Sequence, residues 1–258
     1  MEKKISDVRL YDGSFARLEC HDELASTADL ARQYAKEGYP DRYCVLAERV
    51  PHTISDGKTL EYKNGIFLSI ILRPSLFSSQ ATFLAPLTAV ALATALDEHT
   101  TARPSIGWLS DIYSCGERIG GCTIEGRLNS NYSFEYLIVN IAVEINERNF
   151  PSLMSDLIRK VFIEENASLK QIIAKTILSK FFLVYRDIKD PHRHVEKYLE
   201  KCIIHDKKIK YLGNGKKQTC KVLRVNPDNF SLIIEDKHGH EIAVTSPSEI
   251  IIPTKFKT

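Results

Sequence analysis

Gly65-Ile66-Phe67-Leu68-Ser69-Ile70-Ile71-Leu72 is a β-branched and aromatic run that reads as a strand, stopped by Arg73-Pro74. Beyond it, Phe83 to His99 is rich in Ala and Leu with Pro86 near its start, and predicts a helix packed on both sides. Before it, Glu48 to Asn64 is polar and carries Pro51 and Asp56-Gly57, the pattern of a loop. Tyr43 to Ala47 is a short apolar run that fits a buried strand. Ser26 or Thr27 is a good N-cap for a helix through Ala35, which Gly38 and Pro40 end.

Further along, Ile106–Tyr113 and Arg118–Glu125 predict two strands joined by Ser114-Cys115-Gly116-Glu117, and Phe134–Ile145 another. Phe150-Pro151 opens a helical stretch, Ser168 caps a helix running to about Tyr185, and a further helix covers His194 to about Cys202. After Asp206 the character changes. Ile209–Tyr211, Thr219–Val225, Ser231–Glu235, Glu241–Thr245 and Glu249–Ile252 are short strands between polar turns, the spacing of a small β-barrel. The expected architecture is α+β: a mixed sheet with flanking helices over residues 1–206, then a compact β-module over 207–258.

The 258 residues are 43% hydrophobic and 26% charged, values of an ordinary globular chain rather than a disordered or fibrous one. Thirty-five Lys+Arg against 33 Asp+Glu leave +2, which excludes a chain-wide basic surface for nucleic acid. The lysines near Met1 precede no apolar stretch, and Ala81–Leu96 is too short to cross a bilayer, so neither a leader nor a membrane span is expected. Six scattered cysteines form no C-x-x-C pair and read as free thiols of a cytoplasmic protein. The eight histidines show no metal-ligand spacing beside them, and those in PHRH and HGH fit solvated loops, so no metal site is expected.

The motifs, in order, are S-T-x-D at Ser26–Asp29, G-x-x-L-S at Gly65–Ser69 ending in R-P, W-x-x-D at Trp108–Asp111, and R-x-G-G at Arg118–Gly121. Together with a G-x6-V, N-x-D, E-I-x-I pattern towards the end, this layout resembles the biotin–protein ligases, from about Leu18 to Ile252. Without a winged-helix DNA-binding extension, it is similar to the short class. The resemblance implies a biotin/lipoate ligase-like sheet domain and an SH3-like C-terminal barrel. It implies ATP, Mg2+ and biotin as ligands, with biotinyl-AMP formed first and its acyl group then passed to a lysine of a biotin carboxyl carrier domain. It also implies a sheet edge presented to that carrier or to a second copy in a homodimer, with no DNA or membrane partner.

Carried over residue by residue, Ser26 and Thr27 match the pair that bonds the biotin ureido group, although a serine there is equally a plain N-cap. Gly120 and Gly121 match the small residues that let backbone approach the ligand. Trp108 and Asp111 match the ends of the family's W-P-N-D turn beside the nucleotide, with core packing the alternative for the solitary Trp. Arg118 falls where the family places the lysine on the reacting carboxylate, and Asp111 would help to place Mg2+ or the ribose. Arginine keeps the charge and forks onto a carboxylate or phosphate, but is no proton donor near neutral pH.

Departures from the family are as informative. Its glycine- and arginine-rich phosphate loop would lie within Arg49–Asn64, where only Gly57 occurs and Arg49, Lys58 and Lys63 face Asp56 and Glu61. The strand end G-x-G-x-N becomes Asn140-Ile141-Ala142-Val143-Glu144, putting the Glu144 carboxylate near the nucleotide. Losing one oxyanion-type donor costs ~2.7–4 kcal/mol, so two independent losses would slow a ligase by roughly four decades. Three readings remain: a divergent ligase working through Arg118, Arg49, Lys58 and Lys63; a homologue that binds biotin, an adenylate or a carrier without efficient catalysis; and a lipoate-type acyltransferase. The last needs an activated nucleophile, and Cys122 is the one tempting thiol, with a core role as its plainer explanation.

Overall fold

The computed structural model describes residues 4–53, 60–99, 103–145, 168–213 and 217–252. A first sheet is built from β1 (Lys4–Arg9), β2 (Phe15–Glu23), β3 (Tyr43–Thr53), β4 (Leu60–Leu72), β5 (Ser105–Gly107), β6 (Asp111–Ser114), β7 (Glu117–Leu128) and β8 (Phe134–Glu144). Their spatial order is β1-β2-β3-β4-β8-β7-β6-β5. All neighbours are antiparallel except β2 and β3, which run parallel because helix α1 (Thr27–Lys36) carries the chain between them. The mixed sheet is thus as expected.

Alternation along the central strands divides the sheet into two faces. A four-residue helix, α2 (Ser78–Ala81), leads into α3 (Leu84–His99). Leu68, Ile70 and Leu72 of β4 and Val139, Ile141 and Val143 of β8 pack with α3 and with α4 (Leu169–Tyr185). The opposite face holds Tyr43, Val45, Ile71, Tyr136 and Ile138, covered by Ala31 and Ala35 of α1. α3 is buried nearly all round, as its composition predicts. Ser168 caps α4 by accepting from Gln171 N, and α5 (His192–Lys201) follows, starting two residues before its expected place.

The second sheet is built from β9 (Lys208–Tyr211), β10 (Gln218–Val225), β11 (Leu232–Glu235), β12 (Glu241–Val244) and β13 (Ile250–Ile251). It has the order β12-β11-β10-β9-β13 and is wholly antiparallel. The strands fit the five expected positions, but no pairing between β12 and β13 closes a barrel among the described residues. Ile209, Val222, Leu232 and Ile234 belong to the same apolar cluster as α3, so the two sheets share one core.

Three expectations change. The polar stretch Glu48–Asn64 forms no simple loop: β3 and β4 pair as far as Thr53↔Leu60. Polar side chains do not prevent pairing, and Pro51 is tolerated because β2 ends its pairing at Glu23↔Arg49, leaving β3 with one neighbour. Ile106–Tyr113 is two strands, β5 and β6, folded back on each other around Trp108–Ser110. The β1–β2 hairpin adds two strands beyond those expected: Ile5 and Val8 break strict alternation in β1, whereas Ala16, Leu18 and Cys20 of β2 do alternate with Arg17, Glu19 and His21. The helical stretch expected at Phe150-Pro151 lies outside the described residues.

Two glycines pin the centre of the sheet. A Cβ on Gly120 would lie 2.1 Å from the Ala142 carbonyl oxygen, and one on Gly65 would lie 2.2 Å from that of Val143. β4 and β7 thus press against β8 from both sides at the same level. Gly120→Ala is expected to destabilise the chain by about 2–3 kcal/mol, the cost of overpacking a backbone contact. A urea titration checks this, and an unshifted midpoint would contradict the close approach.

Candidate functional site

α1 covers only one end of its face of the sheet, and the remainder is an open cavity of about 420 Å³. Its walls are Ala25–Ala28 at the start of α1, Val50 and Pro51 of β3, Phe67 of β4, Arg118–Thr123 of β7, and Asn140–Ala142 with Glu144 of β8. The positive end of the helix dipole therefore opens on the cavity. Ser26, Thr27, Gly120, Gly121, Arg118 and Glu144 are brought together here, although they are up to 118 positions apart in sequence.

Ser26 is the N-cap: its Oγ accepts from Asp29 N at 3.1 Å. Thr27 is buried and its Oγ1 lies 3.0 Å from Ser69 Oγ, which is also 2.8 Å from Asn140 Oδ1. Asn140 Nδ2 donates to Glu125 Oε1 at 3.0 Å, and the Glu125 carboxylate is gripped by the Arg32 guanidinium at 2.8–3.0 Å. Sequence reasoning did not single out Ser69, Glu125 or Asn140 as site residues. The signal was present, since Ser69 and Asn140 are lone polar residues in the apolar runs Gly65–Leu72 and Tyr136–Val143 and sit opposite each other in register.

Arg118 is at the rim, its Nε 2.8 Å from Asp111 Oδ1, so the residues carried over as catalytic form one ion pair. Gly121 has φ +159, and a Cβ there would lie 2.8 Å from the Ser110 carbonyl oxygen. Gly120 and Gly121 are thus explained by close approach of β8 and of the turn before β6, beyond any ligand.

The other carried-over residues sit apart. Trp108 is buried, does not line the cavity, and its Nε1 donates to the Phe230 carbonyl at 2.6 Å. The indole joins the two sheets, which is the core-packing alternative for this residue. Tyr198 OH donates to the Leu109 carbonyl at 3.0 Å and packs edge-on against Phe230, which holds the same turn. Arg49 does not line the cavity either; it is half exposed and 3.6 Å from Glu23. Lys63 has its backbone opposite Val50, and Lys58 lies outside the described residues.

Cys122 packs on the helix side of β7, its Sγ 3.7 Å from the Ala85 carbonyl oxygen. Burial pushes its thiol up to about 12. That places it in the core reading, since a nucleophilic cysteine needs its thiolate. Burial also pushes the Tyr113 hydroxyl, close to Asp111, up to about 12.

With this geometry in hand, comparison with known proteins is decisive for the architecture. A biotin protein ligase from Aquifex aeolicus, in complex with biotin and ATP, matches with a TM-score of 0.64 at 18% identity over 91% of this chain and 97% of that one. The fold is that of the biotin protein ligases. A biotin protein ligase-like protein of unknown function from a Silicibacter species shares it, with a TM-score of 0.62 at 13% identity over 89% and 94% of the two chains. Among curated proteins, the bifunctional ligase/repressor BirA of Bacillus subtilis is 26% identical over 144 residues. That match takes in 53% of this chain, which spans only 43% of the relative's length. No family model matches. Within this ligase fold, no described helix is long and apolar enough to cross a membrane.

The thiol assignments can be checked directly. With iodoacetamide at pH 8, exposed Cys115 is expected to be alkylated first, and Cys122 to survive until the chain unfolds. Mass spectrometry of timed digests reads this, and equal rates at Cys115 and Cys122 would restore the nucleophile.

Proposed function

We propose that the chain joins biotin to the α-phosphoryl of ATP and then transfers the biotinyl group to a lysine amine of a biotin carboxyl carrier domain. The observation that carries this reading is the convergence of the Ser26-Thr27 helix start, Arg118 and the Gly120-Gly121 pair on one cavity of the ligase fold. In the first step a biotin carboxylate oxygen attacks the α-phosphorus and pyrophosphate leaves. Arg118 is the cation that brings these two anions together, releasing Asp111 as it does so. In the second step the lysine nitrogen attacks the mixed anhydride carbonyl, AMP leaves and the amine loses a proton. Ser26 and Thr27 hold the end of biotin remote from the chemistry. Glu144 and Asp111 offer hard carboxylate oxygens that suit Mg2+, which would enter with the nucleotide and neutralise phosphate charge.

A second reading is favoured by the same electrostatics. At the rim Arg118 is matched by Asp111, and Arg49, outside the cavity, is matched by Glu23. A binding protein that retains the fold without efficient turnover fits that balance, and one structural neighbour is described only as ligase-like. The lipoate-type reading has less support, because the partly buried Cys122 thiol lies against the Ala85 carbonyl and its pKa is raised.

Pyrophosphate release from ATP, Mg2+ and biotin separates the first two. The ligase reading expects release that falls at least about 100-fold in Arg118→Ala, the effect of removing a main electrostatic donor. Binding of biotin without release would establish the non-catalytic reading instead.

A further inference from the structure

The hydrogen-bond chain beneath the cavity has a direction, and its direction is fixed from the outside. Glu125 accepts from the Arg32 guanidinium with both oxygens, so the Asn140 amide must turn its Nδ2 towards it. The Asn140 Oδ1 then faces Ser69, and an amide oxygen can only accept. Ser69 has one proton, and it goes to Asn140. Its oxygen, 3.0 Å from Thr27 Oγ1, therefore receives the Thr27 proton. Thr27 is left with lone pairs alone for whatever occupies the cavity it lines.

We propose that Ser69, Asn140 and Glu125 are positioning residues that make Thr27 an obligate acceptor, so that the cavity selects a small acid whose remote end carries an N–H donor. The selection rests on the biotin reading above, since a ureido ring supplies such N–H groups, but it goes further. It excludes acids with a purely apolar remote end, such as lipoate or octanoate, through a relay that never touches the ligand. A donor-less ligand would cover the Thr27 lone pairs without giving them a donor, a loss of about tenfold in affinity.

Isosteric Glu125→Gln reverses the relay. The new side-chain amide accepts from Arg32 through its oxygen and donates to Asn140 through its nitrogen, so the Asn140 amide turns over. Ser69 then receives from Asn140 and donates to Thr27, freeing the threonine proton to point into the cavity. Ser69→Ala instead cuts the relay, leaving Thr27 free to rotate.

Calorimetry with biotin, with biotin methylated on both ureido nitrogens, and with lipoate tests the selection. Wild type is expected to prefer biotin over both others by at least about tenfold. In Glu125→Gln and Ser69→Ala the preference over methylated biotin should shrink towards unity. Variants whose melting shows loss of fold are replaced by Asn140→Ser, for which the same loss of preference is expected.

A second readout does not depend on biotin. In 15N-labelled protein, 2-imidazolidinone is expected to shift the Thr27 amide, and 1,3-dimethyl-2-imidazolidinone is not. If the cyclic urea binds selectively but biotin does not, the biotin reading fails and the acceptor relay stands. Equal response to both ureas, unchanged selectivity in Glu125→Gln, or a cavity that takes none of these ligands overturns the proposal.

Discussion

The structure depends on a mismatch of lengths across one sheet. α1 has ten residues, about 15 Å of helix, whereas β8 has eleven residues and extends about 36 Å. On the other face α3 and α4, with 16 and 17 residues, cover the central strands more fully. The short helix buries Val45, Ile71, Tyr136 and Ile138 and then stops, and Ser26 and Thr27 mark where it starts. What it leaves uncovered is the cavity. The same strands thus serve as core on one face and as a binding floor on the other, and alternation alone decides which side chain goes where.

That floor is unusually rigid for an open site. Gly65 and Gly120 allow β4 and β7 to close on β8 with no room for a methyl group, so Ser69, Thr123 and Asn140 are held in register. The rim is held differently. The turn that carries Asp111 is fixed by Trp108 on Phe230, by Tyr198 on Leu109, and by Ser110 Oγ donating to the Cys122 carbonyl at 2.9 Å. Two of those three contacts depend on α5 and the C-terminal sheet, so the small sheet buttresses the charged end of the cavity. Buried neutral hydrogen bonds of this kind contribute about 1 kcal/mol each, but leaving a partner unpaired costs more.

Much of this was legible in the sequence. The Gly65–Leu72 strand, the all-apolar α3, the Ser168 cap and the five short C-terminal strands each obey one local rule, and the motif layout led to the ligase fold. Ser26, Thr27, Arg118, Gly120, Gly121 and Glu144 could be named because their motifs are compact. Trp108 could not be placed, since a solitary indole serves a ligand or a core equally well, and its partner Phe230 lies 122 positions away in the sequence. Glu48–Asn64 looked like a loop because polar residues dominate it, yet strand pairing is a backbone property. Asn140 stood out only as a departure from a glycine pattern, and its partners, Ser69 and Glu125, lie on two other strands where no local pattern joins them.

The most direct measurement is a crystal of the chain soaked with a stable sulfamoyl mimic of biotinyl-adenylate. Density is expected along β8, with an N–H of the ligand's bicyclic end on Thr27 Oγ1 and its charged linkage on Arg118, now turned away from Asp111. Density elsewhere, or an Arg118–Asp111 pair still closed over an empty floor at saturating ligand, would contradict it.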